Sequence, residues 1–143
     1  MSEAFTLDPR LAADTRLLAS LPLCDVRLMD DARYGWLVLV PRRDGLVEIA
    51  DLDEGEQATL WHEVNRAAAA LRAVAPCDKL NLGALGNIVR QLHVHVVARV
   101  EGDAAWPGPV WGNGQAVARG DAQARLLIAT LQQQLATPDT PDT

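Results

Sequence analysis

The chain has 143 residues, 49% of them hydrophobic and 22% charged, with a formal net charge of −6. That length and balance suit a globular domain with a real core. The acidic surplus argues against a sequence-independent grip on nucleic acid, which needs clustered Lys and Arg, but a small anionic ligand can still be met by backbone N–H groups and neutral imidazoles. Cys24 and Cys77 form neither a disulfide framework nor a zinc-finger spacing and read as small buried apolar residues. Met1 opens a polar stretch without a basic-then-apolar signal pattern. No apolar run approaches the ~20 residues of a membrane span. The expectation is a cytoplasmic protein with no membrane partner.

In chain order, Asp8-Pro9 reads as an N-cap with proline at the first helical position, opening a short helix through about Ser20 that Pro22 ends. Residues 23–29 alternate loosely as a strand, with Cys24, Val26 and Leu28 on one side. After the polar turn at residues 30–35, the run Trp36-Leu37-Val38-Leu39-Val40 suits a strand buried on both faces. Asp44-Gly45 marks a turn. Asp53 with Glu56 three residues on is a variant capping box for the longest helix, to about Val74. In it, Leu60, Val64, Ala67, Leu71 and Val74 recur at spacings of three and four.

Two further strands are expected near residues 79–85 and 92–100, separated by Gly86-Asn87-Ile88-Val89-Arg90, and residues 101–119 are too broken by glycine and proline for regular structure. A last helix runs from Asp121 through Leu135, and the Thr-Pro-Asp tail over 137–143 is expected to be disordered. Strands outnumber crossover helices. The expectation is therefore one α+β domain over residues 1–136, an antiparallel sheet of about five strands with helices on one side.

The most informative stretch is Gln91-Leu92-His93-Val94-His95-Val96-Val97. On one extended strand, Gln91, His93 and His95 share a face, and Leu92, Val94 and Val96 share the other. Three explanations compete. The histidines are a solvated edge-strand face; or they are two metal ligands, although His62, the cysteines and scattered carboxylates are poorly placed to complete a zinc site; or they do nucleophilic or acid–base work beside an anion-receptive turn at Gly86–Val89.

The stretch resembles the signature of the histidine-triad (HIT) family, His-φ-His-φ-His-φ-φ with φ apolar. Gly86-Asn87-Ile88-Val89 resembles that family's Gly-Gln-Ser/Thr-Val phosphate-contacting turn, and Gly35-Trp36-Leu37-Val38-Leu39-Val40-Pro41 its Gly-His-x-Leu-Val-x-Pro strand. Asp51-Leu52-Asp53 and Trp106-Pro107 are also familial, so that the likeness covers about residues 23–112.

The resemblance implies a HIT-like fold and a nucleotide hydrolase or nucleotidyl transferase acting at an α-phosphate, with no cofactor and no obligatory metal. His93 holds the place of the nucleophile that forms a nucleotidyl-imidazole, and His95 that of a contact to phosphate oxygens or leaving group. Gly86, Asn87 and Ile88 fall on the phosphate turn. Asp30 or Asn81 falls where the family contacts a ribose or purine, and Leu28, Leu37 and Leu39 either line its base pocket or pack in the core. It further implies a homodimer whose partner ligand is a nucleotide or nucleoside phosphate derivative.

Four residues depart from the pattern. Gln91 stands for the first histidine and cannot relay a proton; Trp36 stands for a histidine that neighbours the triad; Asn87 for a longer Gln; and Ile88 for a hydroxyl residue. They imply a slower enzyme or a substrate other than adenosine phosphoramidates and dinucleoside polyphosphates. The alternative is a nucleotide-binding or interaction module that keeps the fold with little or no turnover.

Overall fold

The computed structural model describes residues 5–136, so the tail over 137–143 lies outside the described residues. Five strands form one antiparallel sheet: β1 (Thr15–Ser20), β2 (Cys24–Met29), β3 (Gly35–Pro41), β4 (Lys79–Gly83) and β5 (Val94–Arg99), in the spatial order β1-β2-β3-β5-β4. Three α-helices accompany them: α1 (Pro9–Asp14), α2 (Glu54–Val74) and α3 (Asp121–Ala136). The α+β expectation holds, and among the described residues no helix is long and apolar enough to cross a membrane.

The helix expected to reach Ser20 stops at Asp14. The cap is as read, with the Asp8 side chain accepting from Arg10 N–H. From Thr15 onward the chain pairs with β2, and a register shift between Leu17 and Ala19 marks a bulge. Thr15, Leu18 and Leu21 are buried. The bulge thus gives a strand a burial spacing of three, which imitates a helical stripe. Strand pairing satisfies a row of backbone groups that a short isolated helix cannot hold together, and it wins.

One face of the sheet packs on α2 and α3. Val26, Leu28, Leu37, Leu39, Leu92, Val94 and Val96 meet Leu60, Val64, Ala67, Leu71 and Leu131 there. Gly35 permits close approach at the end of α2, because a Cβ at that position would lie 3.2 Å from the Cβ of Ala75. Glu63, 1% exposed on α2, accepts from the N–H groups of Leu23 (2.9 Å) and Cys24 (2.7 Å), joining the helix to the start of β2. Burial and the neighbouring Glu63 carboxylate push the Cys24 thiol up.

The other face carries Tyr34, Trp36, Val38, Val40 and Val97, covered by Leu11 of α1 and by Ala105 and Val110 of the irregular segment after β5. The short first helix therefore lies opposite α2 and α3 rather than on their side. This second face positions the site.

Candidate functional site

β5 begins at Val94, so Gln91, Leu92 and His93 lead into the strand rather than extend it. Leu92, Val94 and Val96 enter the core beneath the helices, while His93 and His95 face the other way, each 6% exposed. Their rings meet edge to face with centroids 4.9 Å apart. Both line a cleft of about 760 Å³, whose walls also include Trp36, Trp111, Arg10 and Asp30.

Hydrogen bonds fix how each imidazole presents itself. His93 Nδ1 stands 2.7 Å from the backbone carbonyl of Gln91. A carbonyl only accepts, so Nδ1 carries hydrogen and the neutral ring keeps its lone pair on Nε2. On His95 the order is reversed. The Trp36 indole N–H donates to His95 Nδ1 at 3.0 Å. An indole nitrogen only donates, so His95 holds its hydrogen on Nε2.

Burial, with the neighbouring His93, lowers the His95 pKa to about 3, which keeps that ring uncharged. Trp36 and Trp111 pack against His95 with centroids 5.6 and 5.5 Å away. Among the described residues the buried side-chain polar atoms without a partner are Tyr34 OH and Trp111 Nε1; neither histidine Nε2 is among them.

The Gly86–Val89 turn lies beside the histidines. Gly86, Asn87, Ile88 and Val89 line the same cleft as the two histidines. Gly86 adopts φ +72°, a left-handed turn that glycine takes without strain. Gly86, Asn87 and Val89 make no hydrogen bond among the described residues, which leaves donors for an anion. Ile88 is 78% exposed, and its backbone carbonyl accepts from an Arg10 guanidinium nitrogen at 3.4 Å.

Three other expectations fall differently. Gln91 does not share a strand face with the histidines. Its side chain accepts from Asp8 N–H at 2.8 Å and donates to the Thr6 carbonyl at 2.9 Å, and the residue borders a second hollow, of about 590 Å³, that shares Gly86, Asn87 and His93 with the cleft. Asn81 is outside the cleft wall; its Oδ1 accepts from Arg99 at 2.8 Å. Leu28, Leu37 and Leu39 belong to the core under α2, not to a base pocket.

Asp30 does reach the cleft, with Oδ1 accepting from Arg119 N–H at 2.8 Å. Beside it, Asp31 pairs with Arg33 through two oxygens. Burial opposes the charged form of Asp31, but the Arg33 guanidinium and the N–H groups of Arg33 and Val117 outweigh it and hold the carboxyl below the usual range. Arg33 also donates to the Asn113 carbonyl, tying the segment after β5 across the rim.

Sequence reasoning missed Arg10, Trp111 and the donor role of Trp36. The first two come from parts of the chain far from the histidines. Trp36 was visible as a departure, but its partner depends on register: Trp36 pairs with Val97 and Val38 with His95, so the indole lies diagonal to the imidazole.

A sequence profile described as the HIT domain matches residues 10–102. Among solved structures, a histidine triad protein from Bradyrhizobium japonicum is 49% identical with a TM-score of 0.90, covering 93% of this chain and 99% of its own. One from Sinorhizobium meliloti 1021 is 48% identical with a TM-score of 0.89, covering 91% and 96%. A third, from Marinobacter aquaeolei VT8, is 43% identical with a TM-score of 0.89, covering 93% and 97%. No protein of curated function matches. With the profile spanning most of the sheet and both histidines, and full-length relatives sharing nearly half its residues, the chain belongs to the histidine-triad family.

Proposed function

We propose that the protein is a nucleotide hydrolase or nucleotidyl transferase that works at an α-phosphate through a covalent nucleotidyl-histidine on His93. The observation that carries this reading is the His93 ring. Its Nδ1–H is bound to the Gln91 carbonyl, and its Nε2 lone pair is left for the cleft that holds the Gly86–Val89 turn. Attack by Nε2 makes an imidazolium whose Nδ1–H stays on that carbonyl, so the developing charge is met by an acceptor already in position. Asn87 and the turn's N–H groups would hold the non-bridging oxygens, His95 Nε2–H would add a donor, and Asp30 would meet the sugar.

A second reading, a nucleotide-binding module with little turnover, is favoured by Ile88. Its exposed side chain brings no hydrogen-bonding group to the turn. Incubation with dinucleoside polyphosphate and with adenosine phosphoramidate, acid-free quenching and peptide mass analysis separate the two. A nucleotidyl mass on the peptide containing His93, lost in His93→Ala, supports the enzyme. Binding without adduct or turnover supports the module.

The partner protein we propose is a second copy of the chain. β4 is an edge strand with Leu82 44% exposed, and α2 presents Trp61 at 43%. Unpaired strand edges and exposed indoles are groups that a subunit contact covers. A monomer mass by light scattering at working concentration would refute it.

A further inference from the structure

We infer that Trp36 is a specificity-determining residue: by occupying His95 Nδ1 with a donor, it restricts this site to substrates whose leaving group departs as a stable anion, such as a phosphate or polyphosphate, and excludes amine leaving groups. The inference rests on the covalent reading given above for His93.

The chemistry follows from where the electrons go. His93 Nε2 gives its lone pair to the α-phosphorus, and as that P–N bond forms, the bond to the leaving atom breaks with its pair on that atom. A phosphate oxygen carries the pair as an ordinary anion. An amine nitrogen would depart as an amide anion, far too basic to form in water, unless a proton reached it in the same step. In the second step water adds to phosphorus, the P–N bond breaks, the pair returns to Nε2, and the surplus proton leaves to solvent.

The site therefore cleaves P–N bonds only if it holds a proton donor beside the leaving atom. His95 is the imidazole in reach, and to be an acid it must carry hydrogen on both nitrogens. Trp36 forbids this, because an Nδ1–H would face the indole N–H at 3.0 Å, donor against donor. The low pKa of His95, near 3, agrees with the geometry. Gln91, where a third imidazole would sit, does not line the cleft and is bound through its amide to Thr6 and Asp8; an amide is no acid in any case. The other ionisable groups on the cleft wall are Arg10, Arg33, Asp14, Asp30 and Asp31. A guanidinium does not release its proton, and carboxylates are acceptors only.

The test is a paired assay. Adenosine phosphoramidate and a dinucleoside polyphosphate are compared on the wild-type protein and on Trp36→Phe, which keeps an aromatic body but frees His95 Nδ1. Wild type is expected to cleave the polyphosphate at least ~100-fold faster in kcat/KM, the scale of a missing general acid. Trp36→Phe is expected to narrow that ratio and to add a limb to the pH profile of phosphoramidate cleavage. Comparable wild-type rates on both substrates overturn the inference alone. Turnover of neither, with no adduct on His93, overturns the covalent reading and the inference together. Nitrogen NMR of the wild-type histidines reads the device without turnover: hydrogen on His95 Nε2 from pH 7 to pH 5 is expected, and hydrogen on Nδ1 overturns it.

Discussion

Gln91 holds Asp8 across 83 residues of chain: its side-chain oxygen accepts from the Asp8 N–H at 2.8 Å while its amide nitrogen donates to the Thr6 carbonyl. In an extended segment the carbonyl of one residue and the N–H two places on point the same way, so a side-chain amide can pair with both as a neighbouring strand would. The two imidazole nitrogens point apart and cannot. Gln91 thereby anchors the segment that leads into α1, whose Arg10 and Leu11 line the cleft.

Gln91→His, which restores the family's first histidine, is therefore expected to fail as an activating change. It should cost about 1–2 kcal/mol, the scale of two partly exposed hydrogen bonds, and speed amide exchange at Asp8. Urea unfolding and hydrogen exchange check this. A gain in turnover with Asp8 still protected would refute the anchoring role.

Local pattern made much of this fold legible. The alternation of Cys24, Val26 and Leu28 gives β2, and Asp53 caps α2, accepting from Glu56 N–H at 2.7 Å. The motif and its turn locate His93, His95 and Gly86–Val89 in one cleft. What local pattern cannot carry is the partner of a polar side chain. Glu63 reads as a helix residue beside His62, yet it is buried against amides 40 and 39 residues away. Asn81 reads as a strand residue near the motif, and only the β4–β5 register brings it to Arg99.

Asn81 illustrates the consequence for mutation. Arg99, 1% exposed, is held by Asp103 through both oxygens at 2.8 Å and by Asn81, with the Tyr34 and Trp106 rings at 5.8 and 5.5 Å. Asn81→Ala should lower stability by about 1.5–3 kcal/mol, as for a hydrogen bond to a buried charge, while leaving nucleotide affinity within twofold. Calorimetric titration beside thermal unfolding tests it. A large loss of affinity at unchanged stability would return Asn81 to the binding site.

Glu63→Ala should be among the most damaging single changes on α2. It strands the N–H groups of Leu23 and Cys24 in the core, at about 1–3 kcal/mol each. Glu63→Gln keeps one acceptor and sets an amide donor against the other N–H, so an intermediate loss is expected. The Cys24 thiol, fully buried with its pKa raised, should react with a disulfide reagent far more slowly than Cys77 in wild type, and this contrast should shrink in Glu63→Ala. Equal thiol rates in the native wild type would contradict the buried arrangement.

Acid should unfold the protein in two stages set by different groups. The folded state holds His95 uncharged with a pKa near 3 against an ordinary 6.5, so below pH 6.5 the unfolded chain takes up a proton that the folded chain refuses. Stability then falls with falling pH, approaching a slope of ~1.4 kcal/mol per pH unit from this one group, until about pH 3. The second stage belongs to carboxylates held down by their partners, Asp31 by Arg33 and, furthest, Asp103, which the Arg99 guanidinium and backbone N–H groups hold to about 2 against an ordinary 3.8. Their contribution is present above pH 4 and is lost from there toward pH 2. His95→Gln, whose amide oxygen can still accept from Trp36, should remove the first stage and leave the second. Urea titrations at half-unit pH steps resolve the two. An unchanged acid limb between pH 6.5 and 4 in His95→Gln would show that the ring beside Trp36 is not held uncharged.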